Sequence, residues 1–178
     1  TRQDFINVKK LGIDEVRLPI YMSNMLDDEG KFDSLFLYLL DQYINIAEEE
    51  EVNILITNMQ GYDYSDPNLE NEFINIWTQM ALHLKNRSKF VYYELANEPS
   101  CEYDEDWGKM QGNILDAVRK IDTVHTILVT SNSWSNGTRL RYLPEYNDDN
   151  LIYVFHFYDP FLFTHQGADF VGLSDLKG

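Results

Sequence analysis

The sequence is short of cysteine, of positive charge and of long apolar runs. Cys101 is the one cysteine, so no internal disulfide can form and thiol usage leaves the redox compartment open. No cation lies close to it in sequence to favour a thiolate, and it reads as incidental. Only 14 lysines and arginines stand against 30 aspartates and glutamates, a formal charge of −16. Nucleic acid needs a basic surface to replace its counterions, so it is excluded as a partner. An anionic membrane surface is disfavoured for the same reason, and no run of 18 apolar residues predicts a membrane span. No signal-peptide pattern opens the chain; Thr1-Arg2-Gln3-Asp4 begins mid-pattern, as if inside something larger. Metal-ligand spacings such as HExxH are missing, as are GxGxxG, the P-loop and the GxSxG elbow. The reading therefore calls for no metal and no cofactor.

What is there suits one α/β domain. The chain has 178 residues, 44% hydrophobic and 25% charged. Aromatics make up 14%, with 12 Tyr, 10 Phe and 3 Trp. Flat rings fill cores, and they also stack on the apolar faces of sugars. An acidic surface does not repel a neutral polymer such as a polysaccharide.

Taken in order, Phe5, Val8 and Leu11 before Gly12 predict the last turns of a helix with a glycine stop. Residues 13–21 predict a strand ended by Pro19, with Arg17 inside it. An arginine there is either paired with carboxylates or faces solvent on an edge. Asp33 or Ser34 caps the next helix, with Leu35, Phe36, Leu39, Leu40, Tyr43, Ile44 and Ala47 as its apolar face. Glu48 to Glu51 follow as a run of acids on a helix end where the macrodipole disfavours them, and the run is assigned no chemistry. Residues 52–57 predict a buried strand. Leu69 to Leu84 predict a second amphipathic helix, residues 90–95 a strand, Trp107 to Ile121 a third helix, and residues 126–130 a strand. Residues 131–137 form a polar loop carrying Trp134, and residues 151–157 predict a last strand holding His156, with Tyr158 just after. Strict alternation with short connections predicts a parallel sheet of βα units.

In such a sheet the C-terminal strand ends lie on one side. Arg17, Asn58 and Gln60, Asn97 and Glu98, Ser131 and Asn132, and His156 and Tyr158 would then converge there. Taken alone, Asn97-Glu98-Pro99 also fits a surface turn. Five consecutive strands delivering hydrogen-bonding groups at one end favour a site. With metals, dinucleotides and phosphates unsignalled, general acid–base work by the Glu98 carboxyl remains. Glycoside hydrolysis is the commonest home of that chemistry, and it needs two carboxyls across the bond.

The residues also carry a family likeness. YYELANEPS, residues 92–100, resembles the NEP signature of family 5 glycoside hydrolases, the cellulase family. VRLPI (16–20) resembles that family's second-strand motif, HFYDP (156–160) its sixth-strand His-x-Tyr, and FTHQGADF (163–170) a segment of endoglucanase-like members. The similarity covers nearly the whole chain, in order. It implies a (β/α)8 TIM barrel, here strands 2 to 6 with their helices, so that residues 1–178 are part of one catalytic domain. It implies retaining cleavage of internal β-1,4 bonds in cellulose or another β-glucan. Glu98 would be the general acid/base and Asn97 would bond the sugar 2-OH. Arg17 and Tyr158 would orient the nucleophile, with His156 and Gln60 lining the site. Trp134 would serve as a sugar platform or as packing, outside the catalytic set. Family members are secreted or sit at the cell surface.

The chain departs from the family pattern in places. Gln60 stands where a histidine is usual, and Glu51 stands where the preceding helix usually stops at glycine. The nucleophilic glutamate of the seventh strand is expected to lie outside this segment, so the segment alone is expected to hydrolyse nothing. Asp159, followed by Pro160, reads as the start of a turn. A five-strand arc leaves two open edges, from which we expect a longer polypeptide or self-association. The rival readings are a carbohydrate-binding remnant without turnover and an open α/β ligand-binding module.

Overall fold

A computed structural model describes residues 1–59 and 61–176. Its framework is a five-stranded, all-parallel sheet in the order β1-β2-β3-β4-β5. The strands are β1 (Glu15–Ile20), β2 (Asn53–Asn58), β3 (Val91–Glu94), β4 (Thr126–Thr130) and β5 (Leu151–Val154). Helices α1 (Arg2–Lys10), α2 (Ser34–Glu49), α3 (Leu69–Leu84) and α4 (Asp104–Arg119) precede β1, β2, β3 and β4.

Register explains why the strands read as near-continuous apolar runs. Leu18, Ile56, Tyr93, Ile127 and Leu151 lie side by side across all five strands. This row and its neighbours Ile54, Val91 and Val129 face the helices, where most are fully buried. The alternate row, Pro19, Thr57, Glu94, Leu128 and Ile152, lies on the opposite face. Two indoles tie helices to strand exits. Trp77 Nε1 of α3 donates to Leu95 O at 2.9 Å, and Trp107 Nε1 of α4 donates to Thr130 O at 2.7 Å. Both rings are fully buried, and each satisfies a carbonyl that the ladder leaves over.

Helix ends follow their sequences. Asp33 Oδ1 accepts from Leu35 N at 2.8 Å and Phe36 N at 3.0 Å, the expected N-cap of α2. Gly12, at φ +76°, supplies the left-handed stop after α1. At the end of α2 the same geometry falls on a residue with a side chain: Glu51 has φ +53°. Val52 N donates to Ala47 O and Glu51 N to Glu48 O, the paired bonds of a Schellman stop.

Two expectations need correction. The face of α2 is narrower than the apolar pattern: Leu40, Ile44 and Ala47 are buried, while Leu35, Leu39 and Tyr43 are exposed. The last strand stops at Val154. Beyond it, among the described residues, only His156 makes an isolated bridge, to Asn136 in the β4 exit loop. The acidic run, to which no chemistry was assigned, makes ion pairs. Glu48 accepts from Arg87 and from Ser88 N, and Glu49 and Glu50 pair with Arg2.

Below the sheet lies a buried polar knot. Tyr93 Oη donates to Asp122 Oδ2 at 2.7 Å, and His125 Nδ1 is 2.6 Å from the same oxygen. Val124 N and His125 N donate to Asp122 Oδ1. Burial pushes the Asp122 carboxyl up, but these donors outweigh it and hold the group below the ordinary aspartate value.

Candidate active site

The site begins with a charge in an apolar strand. Glu94 ends β3 and is almost fully buried. An unpaired carboxylate there would be costly, so the fold gives it two donors. Thr57 Oγ1, its neighbour on β2, donates at 2.6 Å, and Arg17 Nε reaches across from β1 at 2.7 Å. Of the two readings of Arg17, the paired one holds: its side chain is 34% exposed but bonds Glu94, and β1 is the first strand in the sheet order. Burial pushes the Glu15 carboxyl up, and the charge on Glu94 adds to the push.

From Arg17 a line of contacts crosses the strand exits. Arg17 Nη2 donates to Asn97 Oδ1 at 2.7 Å. Next along the chain, the Glu98 carboxylate lies 2.6 Å from His156 Nδ1, with 30% of the Glu98 side chain and 21% of the His156 side chain exposed. An ionised carboxylate only accepts, so Nδ1 then carries the proton; a protonated Glu98 would donate to Nδ1 instead. The Tyr158 ring stands edge-on to His156, centroids 6.3 Å apart, and its hydroxyl makes no hydrogen bond among the described residues. Arg17, Asn97, Glu98, His156 and Tyr158 are thus brought together. Gln60 lies outside the described residues.

Glu98 stands between two clefts. One, of about 650 Å³, is walled by Tyr62, Tyr64, Asp63 and Asp106. The other, of about 910 Å³, is walled by Phe155, Phe157, His156 and Tyr158. Glu98 and Trp134 line both. Trp134 is 66% exposed, which removes the packing reading. Asp159 also lines the second cleft, beyond the turn role the sequence suggested. Cys101 is half-buried in the wall of the first, where burial and then the Asp106 charge push its thiol up to about 11, which makes it a poor nucleophile.

Other strand-end groups turn inward. Asn58 is buried, and its Oδ1 accepts from Tyr62 Oη at 3.0 Å. Asn132 is buried and clamps Cys101: Cys101 N donates to Asn132 Oδ1 at 2.8 Å, and Asn132 Nδ2 donates to Cys101 O at 3.0 Å. The segment after β4 is strained. Ser133, Trp134 and Ser135 take φ of +56°, +59° and +59°, and none is glycine. Left-handed backbone costs such residues about 1–2 kcal/mol each.

Sequence reasoning passed over Glu94, Thr57 and Ser135. Glu94 had a signal, an acid inside an apolar run opposite a strand arginine. Thr57 and Ser135 had none, because a small hydroxyl fits almost any local structure.

A profile of the family described as Cellulase (glycosyl hydrolase family 5) matches residues 1–178. The chain belongs to glycosyl hydrolase family 5. Its five strands and their helices are an arc of that family's (β/α)8 barrel. Among solved family 5 relatives, Cel5A of Thermotoga maritima in complex with cellobiose is 28% identical with a TM-score of 0.92, over 98% of this chain and 59% of that one. The cellulose synthase subunit Z of Clostridioides difficile is 25% identical with a TM-score of 0.93, over 100% and 61%. Endoglucanase C of Acetivibrio thermocellus is 27% identical across 94% of this chain and 53% of its own. Endoglucanase 3 of Fibrobacter succinogenes is 32% identical across 93% and 29%. The chain thus spans about half the length of the first of these curated relatives.

Proposed function

We propose that this chain is part of a retaining endo-β-1,4-glucanase acting on cellulose or a related β-glucan. The supporting observation is the position of Glu98, at a strand exit between two open clefts and 2.6 Å from an imidazole nitrogen. In this reading Glu98 protonates the leaving oxygen and then activates the incoming water. His156 holds the proton partner, Arg17 fixes the Asn97 amide for a sugar hydroxyl, and Tyr158 and Gln60 contact substrate or its carboxylate partner. Two carboxyls about 5 Å apart are needed for retention. The nucleophile is read as belonging to a strand beyond these residues, so this chain alone turns over no substrate. The polypeptide works outside the cell or on its surface, on a neutral polymer. Its open strand edges are met by further barrel strands or by a second copy.

The test uses two polypeptides. This chain, freed of host glycosidases, should release no reducing ends from a soluble β-glucan. A polypeptide extended to carry the next barrel strands should release them, and Glu98→Gln in it should cut kcat by about 10²–10⁴-fold while binding of cello-oligosaccharides persists. Turnover by the short chain overturns the assignment of the nucleophile. An extended protein that binds glycan with no turnover, and is indifferent to Glu98→Gln, would be the carbohydrate-binding remnant.

A further inference from the structure

The strained segment after β4 has a role that its own packing leaves unexplained. Backbone held in a rarely populated region persists only where its surroundings over-determine it, and such places gather at functional sites. Here the surroundings are the residues on either side of Glu98. Trp134 N donates to Pro99 O at 3.0 Å, Asn132 clamps Cys101 from both sides, and Ser135 Oγ donates to Asn97 O at 2.7 Å. The same segment carries the other half of the pair. His156 N donates to Ser135 O at 2.8 Å, and Asn136 bridges His156.

Ser135 is the residue common to both sides. It is fully buried, its hydroxyl bonds the residue before Glu98, and its carbonyl bonds the backbone of His156. The two side chains that share a proton over 2.6 Å come from elements 58 positions apart in sequence. One left-handed residue bonds the backbone on both sides of that pair. We infer that Ser135 is a positioning residue, which holds Glu98 and His156 within hydrogen-bond distance of each other and so fixes which imidazole nitrogen bears the proton. Left-handed geometry serves this by turning the hydroxyl and the carbonyl of one residue toward two different strand exits. The inference rests on Glu98 and His156 being the working pair of the proposed glucanase. Its readout is the hydrogen bond itself, so it stands or falls apart from any glycan cleavage.

Long-range ¹H–¹⁵N spectra of the histidine rings, in mildly alkaline buffer, report the tautomer directly. The chain as it stands should show His156 protonated on Nδ1, and Glu98→Gln should alter that signature and so assign it. Ser135→Ala should lose the Nδ1–H form in favour of the free-ring mixture, while Ser133→Ala, whose side chain makes no hydrogen bond among the described residues, should keep it. Amide protection at Tyr93, in the interior of the sheet, reports whether each variant is folded. If Ser135→Ala unfolds, Ser135→Gly decides, because it removes the same hydroxyl and eases the left-handed backbone. The Nδ1–H form kept in folded Ser135→Ala or Ser135→Gly overturns the inference. So does its loss in Ser133→Ala, or its absence from the unaltered chain.

Discussion

Arg17 joins two acceptors with two different nitrogens, Nε to Glu94 and Nη2 to Asn97. A fork of this kind has no lysine equivalent, because an ammonium is a single point. Arg17→Lys should therefore keep the charge and still lose one of the two bonds. We expect a loss of about 1.5–3 kcal/mol, read by urea unfolding, and a freed Asn97 amide. No change in the unfolding midpoint would mean that the bond to Asn97 contributes nothing net. At this scale the sequence was legible where charge or an unusual side chain stood out. Arg17, Asn97, Glu98, His156 and Tyr158 all carry groups that are hard to place in a strand exit without purpose. Thr57 and Ser135 were opaque, since their value lies in where a hydroxyl lands and only three dimensions supply that.

Elements were legible through their ends and their periods. Asp33, one of two candidate caps, and Gly12 announce a start and a stop, and the structure has both there. Glu51 was legible as an oddity, and its φ of +53° gives the oddity a physical cost. The Schellman bonds around it need the left-handed backbone, and a side chain there is a penalty with no return, because the Glu51 carboxylate makes no hydrogen bond among the described residues. Glu51→Gly should raise stability by about 1 kcal/mol, or about 2–4 °C in Tm for a chain of this size. Scanning calorimetry checks it, and an unchanged or lower Tm would show that the negative charge is worth more than the strain. The width of the α2 face was the element-scale error. Periodicity reports which residues are apolar, and burial depends on what neighbours exist to cover them. Phe157, 71% exposed beyond β5, makes the same point.

For the whole molecule, the topology followed from alternation alone, because a strand followed by a helix and a short connection leaves few arrangements besides a parallel sheet. The net charge of −16 matters at this scale too. Asp122 and Asp41 are both held below the ordinary aspartate value: burial works against each, and hydrogen bonds and ion pairs outweigh it. The unfolded chain therefore binds these protons more readily than the folded one. Their stabilisation is complete at neutral pH and is lost as the pH falls below about 4. Unfolding free energy should be flat on the acid side down to that point and then fall. Asp122→Asn should blunt the fall, and a decline already complete at pH 5 would assign acid sensitivity elsewhere.

The three tryptophans sort cleanly by position. Trp77 and Trp107 are wholly enclosed, and Trp134 stands open between the two clefts beside Glu98. The protein thus carries its own optical gauge. A collisional quencher such as acrylamide or iodide reaches one indole and spares two, so the quenchable part of the emission comes from the cleft. An oligosaccharide lying across that ring would shield it, and binding could be followed by fluorescence without a label and without a single bond being cut.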